Sequence, residues 1–224
     1  NMNTYIKLLI EFLDRSVCNF CAVETVKNQL NANGYKELKF SDSWTLEKNG
    51  KYYVTKNDSA IFAFVLGDKS PAETGFKIIA AHSDSPCFRV KPNAEIKSEK
   101  GVVKLNTEVY GGPILYTWFD RPLSVAGRVI LKGKDVLNPI TRIIKVDRPI
   151  LLIPHLAIHF NRSVNDGNHL SKQKDMLPVI GIFNEIAEKD NILLNTIANE
   201  LSVSIDDILD FDLLVYDTQK AGLV

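Results

Sequence analysis

The chain has 224 residues, 45% of them hydrophobic, and its 27 basic side chains balance its 27 acidic ones. This length allows one large domain or two modest ones, each with enough apolar residues for a core. A neutral chain lacks the excess of lysine and arginine that binds phosphates without sequence preference, so we expect no nucleic-acid partner.

The first part of the chain carries two helical patterns and then strand patterns. Apolar residues spaced as on one helix face predict helices over Tyr5–Leu13 and Ala22–Asn31. Three strands are predicted next, at Lys51–Thr55, Ser59–Leu66 and Phe76–Ala81. The last of these is almost continuously apolar, as expected of a strand buried on both faces of a sheet.

The pattern changes after Pro92 to strands joined by turns rich in glycine and proline. These strands are predicted at Val102–Val109, Ser124–Leu131 and Ile140–Val146. Helical patterns return, over Leu177–Ala187 and Ile192–Leu201. Ser204 is a predicted helix N-cap, and a last strand is predicted over Phe211–Tyr216.

Apolar runs in the sequence are short. The longest, such as Ile61–Leu66, fall far below the roughly 20 residues that span a bilayer, so we expect no membrane partner. Glu11, Asp14 and Arg15 interrupt the N-terminal segment where a signal peptide needs an apolar stretch. The odd number of cysteines suits a reducing compartment. We therefore expect a cytoplasmic protein.

His82, Ser83 and Asp84 directly follow the most apolar strand pattern. In open α/β sheets, ligands bind beyond the carboxyl ends of the strands. Because side chains alternate along a strand, His82 and Asp84 can point to the same side. One imidazole nitrogen can then bind a metal ion while the carboxylate orients the ring. The alternative is a structural His–Asp hydrogen bond without a metal.

A second pair of histidines, His155 and His159, would share one face of a helix. Zinc proteases of the zincin type use that spacing, but they need a glutamate directly after the first histidine, where this chain has Leu156. Structural histidines in a partly buried helix are the favoured interpretation.

Two further motifs are explained at least as well by structure as by chemistry. Cys18 and Cys21 have the spacing of a redox pair or of half a zinc site, and also suit two small apolar residues at the start of a helix. Asp120 and Arg121, which follow two aromatic residues, predict an ion pair beside an aromatic anchor.

Short motifs follow one another in a characteristic order along nearly the whole chain. They are Asp42–Trp44, Gly50–Thr55, Ala81–Cys87, Tyr110–Gly112, Thr117–Arg121, Leu123–Arg128, Arg148–Leu151, Ile153–His159 and Asp217–Gln219. This ordered set resembles the aspartyl aminopeptidase family of dinuclear zinc exopeptidases, whereas any one of the motifs alone is weak.

The resemblance implies an α/β fold in which a zinc-exopeptidase catalytic domain is split by a largely β inserted domain. Residues 1–91 would then be the first part of the catalytic domain, 92–216 the inserted domain with its helices, and 217–224 the start of the return. The family assembles into homo-oligomers through the inserted domain.

The resemblance also implies the chemistry of the site. His82 becomes a zinc ligand, Asp84 its orienting catalytic carboxylate, and His159 a substrate-binding residue that reaches the active site of a neighbouring subunit. The family uses two zinc ions to remove acidic N-terminal residues from peptide substrates. This revises the structural interpretation of His159.

The chain departs from the family at Cys21, where many members have histidine, and at Pro122, where many have an acid. The family's remaining zinc ligands and its general base lie beyond the position of Val224. We therefore expect this chain to hold the first half of the site and to be inactive alone. The alternatives are a non-catalytic assembly or regulatory protein, and a thiol enzyme that uses Cys18 and Cys21.

Overall fold

A computed structural model describes residues 3–98, 101–182 and 191–223. The chain divides into two compact units, Asn1–Ser85 with Ala221–Val224, and Pro86–Lys220. The predicted domain limits, after residues 91 and 216, stay predictions, because compactness within one chain does not define the domains of a family. Among the described residues, none of the helices has both the length and the apolar character that crossing a membrane requires.

Helices and strands are labelled here in chain order. The helices are α1 (Thr4–Arg15), α2 (Asn19–Ala32), α3 (Pro71–Thr74) and α4 (Ile192–Leu201). The strands are β1 (Lys36–Leu38), β2 (Lys51–Lys56), β3 (Ala60–Val65), β4 (Cys87–Lys97), β5 (Val102–Tyr110), β6 (Leu123–Leu131), β7 (Ile140–Lys145), β8 (Val179–Ile182) and β9 (Ile208–Asp217).

The first unit is built around a three-stranded sheet of order β1-β2-β3. β2 pairs in parallel with β1 and antiparallel with β3. Its central residues Tyr52, Tyr53 and Val54 are buried, and the Tyr53 hydroxyl donates a hydrogen bond to Asn31 Oδ1 of α2 at 2.9 Å. The sheet and α2 therefore form the core of this unit.

The second unit contains a six-stranded antiparallel sheet of order β7-β6-β9-β4-β5-β8. Its inward side chains form one apolar core, in which Phe88, Leu105, Val125 and Leu213 are fully buried. Helix α4 contributes Leu193 and Ile197 to the same core. This agrees with the predicted mixed α/β chain whose later part is largely β.

Strand β4 was not predicted, because it contains Pro92. Proline has no backbone N–H to donate to a neighbouring strand, so within sheets it occurs mainly on edge strands and in bulges. The pairing of β4 with β5 shifts register between Val90 and Glu95, so Pro92 lies in a bulge. Past the bulge, Glu95 Oε1 accepts a hydrogen bond from the backbone N–H of Leu193 at 2.8 Å, which stabilises the N-terminus of α4.

Most predicted elements are confirmed. α1, α2, β2, β3, β5, β6, β7 and β9 lie within a few residues of their predicted limits, and α4 has the predicted limits. Ser204 is an N-cap as predicted, with a capping box to Asp207, although it caps the short 3₁₀ turn Ile205–Asp207.

Two predicted elements are wrong. Phe76–Ala81 forms no strand, because none of the described strands pairs with it, and its side chains are exposed, Phe76 by 78% and Ile79 by 100%. The predicted helix over Leu177–Ala187 contains β8 instead, since Val179–Ile182 pairs with β5. Residues 183–187 of that prediction lie outside the described residues.

Candidate metal centre

His82 and Asp84 lie side by side in the loop that follows residues 76–81. His82 Nδ1 is 2.9 Å from Asp84 Oδ1, a hydrogen-bond distance. The imidazole is 91% exposed, whereas the carboxylate is only 33% exposed. The spacing in the sequence therefore does bring the two side chains together, although the residues before them do not form the predicted strand.

The loop that carries this pair is attached to the sheet of the first unit. The Ser83 hydroxyl donates a hydrogen bond to the carbonyl oxygen of Ser59 at 2.8 Å. Ser59 directly precedes β3, so the middle residue of the His82–Asp84 motif holds the loop to the start of that strand. Neighbouring side chains can then project away from this attachment.

The His82–Asp84 geometry suits a metal ligand. When Asp84 accepts the Nδ1–H hydrogen bond, the ring is held as the tautomer whose Nε2 carries a lone pair. Histidines that bind metals usually have such a carboxylate or carbonyl partner, which fixes the ring and raises its basicity. The exposed ring leaves Nε2 accessible to a metal ion.

The described residues do not supply a complete metal site. Among residues 3–98, 101–182 and 191–223, no three His, Cys, Asp or Glu side chains are grouped closely enough to hold a metal ion. A catalytic zinc takes about three protein ligands. His82 with Asp84 thus fits one ligand of a zinc site and its orienting carboxylate.

His159 lies in the second unit, on the short 3₁₀ turn Ile158–Phe160, and its side chain is exposed. The prediction that His155 and His159 share a helix is wrong. Pro154 lies directly before His155, and residues 154–157 have no regular structure, so the two histidines do not share a helix face. The His155 ring instead packs edge-on to the Phe119 ring, with centroids 4.7 Å apart.

Comparison with known proteins identifies the family. The model of the aminopeptidase I zinc metalloproteases (M18) matches residues 12–224. The chain belongs to the M18 family of peptidases. Its sequence is 53% identical over 216 residues to a probable M18 family aminopeptidase 2 of Clostridium novyi, and 42% identical over 218 residues to one of Pseudomonas aeruginosa.

The alignments cover 96% of this chain and 50% of each of these two M18 relatives. The chain therefore spans about half the length of the curated relatives it matches.

Solved structures have the same fold. The structure of the Ape4 and Nbr1 complex superposes with a TM-score of 0.90 at 36% identity, over 96% of this chain and 44% of that one. Chaetomium thermophilum mApe1 superposes with a TM-score of 0.83 at 32% identity, over 98% of this chain and 52% of that one. The fold expected from the ordered M18 motifs is thereby confirmed.

Cys18 and Cys21 have a structural role in the M18 chain. Cys18 is the N-cap of α2, and its Sγ accepts a hydrogen bond from the backbone N–H of Cys21 at 3.4 Å. Both residues are buried, each with 6% of its surface exposed. This arrangement favours the interpretation as small buried residues at the start of a helix.

The predicted ion pair between Asp120 and Arg121 is wrong. Arg121 forms its ion pair with Asp217 at the end of β9, whereas Asp120 Oδ1 accepts a hydrogen bond from the backbone N–H of His155. Sequence adjacency suggested the wrong partners because Asp120 lies in a turn with a φ of +56°, and its side chain and that of Arg121 bind different segments. The motif Thr117–Arg121 thus contacts both the segment at His155 and the end of β9. The sequence did not indicate these contacts.

Proposed function

We propose that the protein is a zinc-dependent aminopeptidase that removes N-terminal residues, acidic ones in particular, from peptides. The observation that carries this proposal is the hydrogen bond of 2.9 Å between Asp84 Oδ1 and the exposed imidazole of His82. The family is described as a zinc metalloprotease, and the relatives are named probable aminopeptidases.

His82 would bind zinc through Nε2, and Asp84 would hold its ring in the tautomer that binds. A zinc ion held there would supply a Lewis acid for the peptide carbonyl and would make water more acidic, which is the chemistry that peptide hydrolysis needs. The Asp84 side chain is only 33% exposed, and its hydrogen bond would hold the His82 ring in one orientation before the metal binds. In this proposal the complete site holds two zinc ions.

The other ligands and the general base would come from sequence that this chain does not contain. The support is that no set of three candidate ligands forms among the described residues and that the chain spans about half of its relatives. The 224 residues alone would then be inactive. The relatives' names favour an enzyme over a non-catalytic assembly protein, and no observation favours the latter.

His159 would contact the substrate from the inserted domain of a neighbouring subunit in a homo-oligomer. Its exposure on the second unit is compatible with this role. A yeast mApe1 of the same fold, 22% identical to this chain, is a dodecamer. Because that identity shows the fold alone, the homo-oligomer proposed here rests on the ordered motifs. We also propose a cytoplasmic location, for which the odd number of cysteines is the support.

An assay on the protein that the complete gene encodes tests the activity. Peptides that begin with Asp, Glu or Leu should lose their first residue in the presence of zinc, with Asp and Glu released fastest. Release should stop when a chelator removes the metal, and N-acetylated peptides should not be cleaved. Absence of release, or release that a chelator does not affect, would overturn the aminopeptidase proposal. Equal release of Leu would overturn the acidic preference alone.

A further inference from the structure

Asp120 has an unusual backbone conformation, with φ of +56°. Glycine adopts this left-handed region most readily, and among other residues asparagine and aspartate are found there most often. The loop that contains Asp120 is held to the core of the second unit by the preceding residues. The Trp118 ring meets the fully buried Phe88 ring edge-on, with centroids 5.0 Å apart. Packing therefore maintains the conformation of Asp120.

Two hydrogen bonds of Asp120, together called the bracket, join it to the residues on either side of Pro154. The N–H of Asp120 donates to the carbonyl oxygen of Ile153 at 2.9 Å, and Asp120 Oδ1 accepts from the N–H of His155 at 3.0 Å. Pro154 has no N–H of its own. Ile153 is fully buried, whereas residues 156–160 are exposed, so Asp120 holds the chain where it leaves the core.

The connection from this bracket to His159 is short. Three residues separate His155 from His159. The His155 ring packs against Phe119, and the turn that contains His159 is closed by a hydrogen bond of 2.8 Å from the N–H of Phe160 to the carbonyl oxygen of Ala157. Contacts at both ends therefore restrain the short segment between His155 and the turn that contains His159.

We propose that Asp120 is a positioning residue that sets the path of residues 155–160 and thereby presents His159 to the peptide substrate. The proposal rests on the substrate-binding role of His159 proposed above. A segment held in its binding conformation loses less conformational entropy when the substrate arrives. Arg121 pairs with Asp217 rather than with Asp120, so its charge does not draw the Asp120 carboxylate away from His155.

Two substitutions separate the hydrogen bond from the backbone conformation. Asn at residue 120 keeps an oxygen that can accept from His155 and tolerates the left-handed region. Gly at residue 120 also tolerates that region but has no acceptor. Asp120→Gly and Asp120→Asn therefore differ in the contact to His155 while both avoid a strained backbone.

Hydrogen exchange of the protein encoded by the complete gene, followed by mass spectrometry on peptides covering residues 154–160, measures the bracket. In Asp120→Gly the exchange should be about tenfold faster or more, because the N–H of His155 loses its acceptor. In Asp120→Asn it should stay within about threefold of the wild type. Equal exchange in all three proteins would overturn the proposal.

Peptide hydrolysis tests the link to His159. Asp120→Gly should raise KM, and so should His159→Ala. The double variant should be no worse than His159→Ala, because both changes remove the same function. Additive effects would overturn the positioning role. If His159→Ala leaves KM and kcat unchanged, the role of His159 is wrong and the functional part of this proposal falls with it. The exchange difference would still show the bracket, so the two failures can be told apart.

Discussion

Asp84 Oδ1 accepts a hydrogen bond from the imidazole of His82 across 2.9 Å, and the carboxylate is far less exposed than the ring it orients. The less exposed partner restricts the more exposed one. A ring held in this way has already lost its rotational freedom, so less conformational entropy is lost when zinc binds. Asp84 therefore affects metal affinity although it need not touch the metal.

Asp84→Asn should therefore weaken zinc binding by about 10- to 100-fold in the protein that the complete gene encodes. The amide keeps the size of the side chain but removes the negative charge of the acceptor that orients the His82 ring. Competition with a chromogenic chelator measures the affinity. Asp68→Asn, at an exposed position of the same unit, serves as the control. An unchanged affinity in Asp84→Asn would contradict the orienting role.

Gly127 lies where β6 pairs with β9, opposite Leu213. A Cβ at residue 127 would lie 2.1 Å from the backbone carbonyl oxygen of Asp212, which no side-chain movement relieves. Gly127→Ala should lower the free energy of unfolding by about 3 kcal/mol or more. Gly112→Ala is the matched control, because a Cβ there meets nothing within 4 Å. Urea denaturation that gives equal losses for the two variants would refute this.

Asp147 should make the free energy of unfolding depend on pH in the acidic range. The hydrogen bond from Lys220, aided by the charge of Lys145, outweighs burial and lowers the pKa of Asp147 below its ordinary value of 3.8. A lowered pKa stabilises the folded state above pH 3.8, and this contribution disappears as the pH falls through the folded-state value.

Asp147→Asn should therefore unfold at a lower temperature than the wild type at neutral pH, and the difference should vanish in acid well below pH 3.8. The carboxylate is 60% exposed, so the effect should stay below about 1 kcal/mol and shrink in high salt. Thermal scans over pH measure it, with Asp166→Asn as an exposed control in the same unit. A difference that persists in acid would exclude the ionised carboxylate as its cause.

The sequence predicted those elements whose pattern is local. Regular apolar spacing identified α4 to the residue, and alternation identified β5 and β6 closely. The His82–Asp84 contact was also predictable, because two residues on the same side of an extended chain need no distant partner. In each case the deciding interaction lies within a few residues.

Features that depend on distant segments were not predictable. The apolar pattern of residues 76–81 indicates a preference for burial, but it does not indicate which strands would cover these residues. Pro92 is compatible with β4 only because a bulge accommodates it. Asp120 contacts His155, 35 positions along the chain, and Arg121 contacts Asp217, 96 positions along. Nothing in the spacing of these residues indicates such pairs.

The exposed apolar residues of Phe76–Ala81 should make the 224-residue chain self-associate, since contiguous apolar surface is uncommon on monomers. Ile79→Ser should reduce that association, because Ile79 is 100% exposed. Val136→Ser, at a residue of the second unit that is 96% exposed, should change it less. Size-exclusion chromatography with light scattering measures the mass. A clean monomer of the unmodified chain at high concentration would contradict the prediction.

The zinc content of His82→Ala, measured by elemental mass spectrometry on the protein encoded by the complete gene, tests the central claim most directly. Loss of a ligand from a site that needs about three should lower bound zinc by about one ion per subunit and abolish peptide hydrolysis. His169→Ala, which changes another exposed histidine, should retain both. Wild-type zinc content together with wild-type turnover in His82→Ala would contradict the assignment of His82 as a metal ligand.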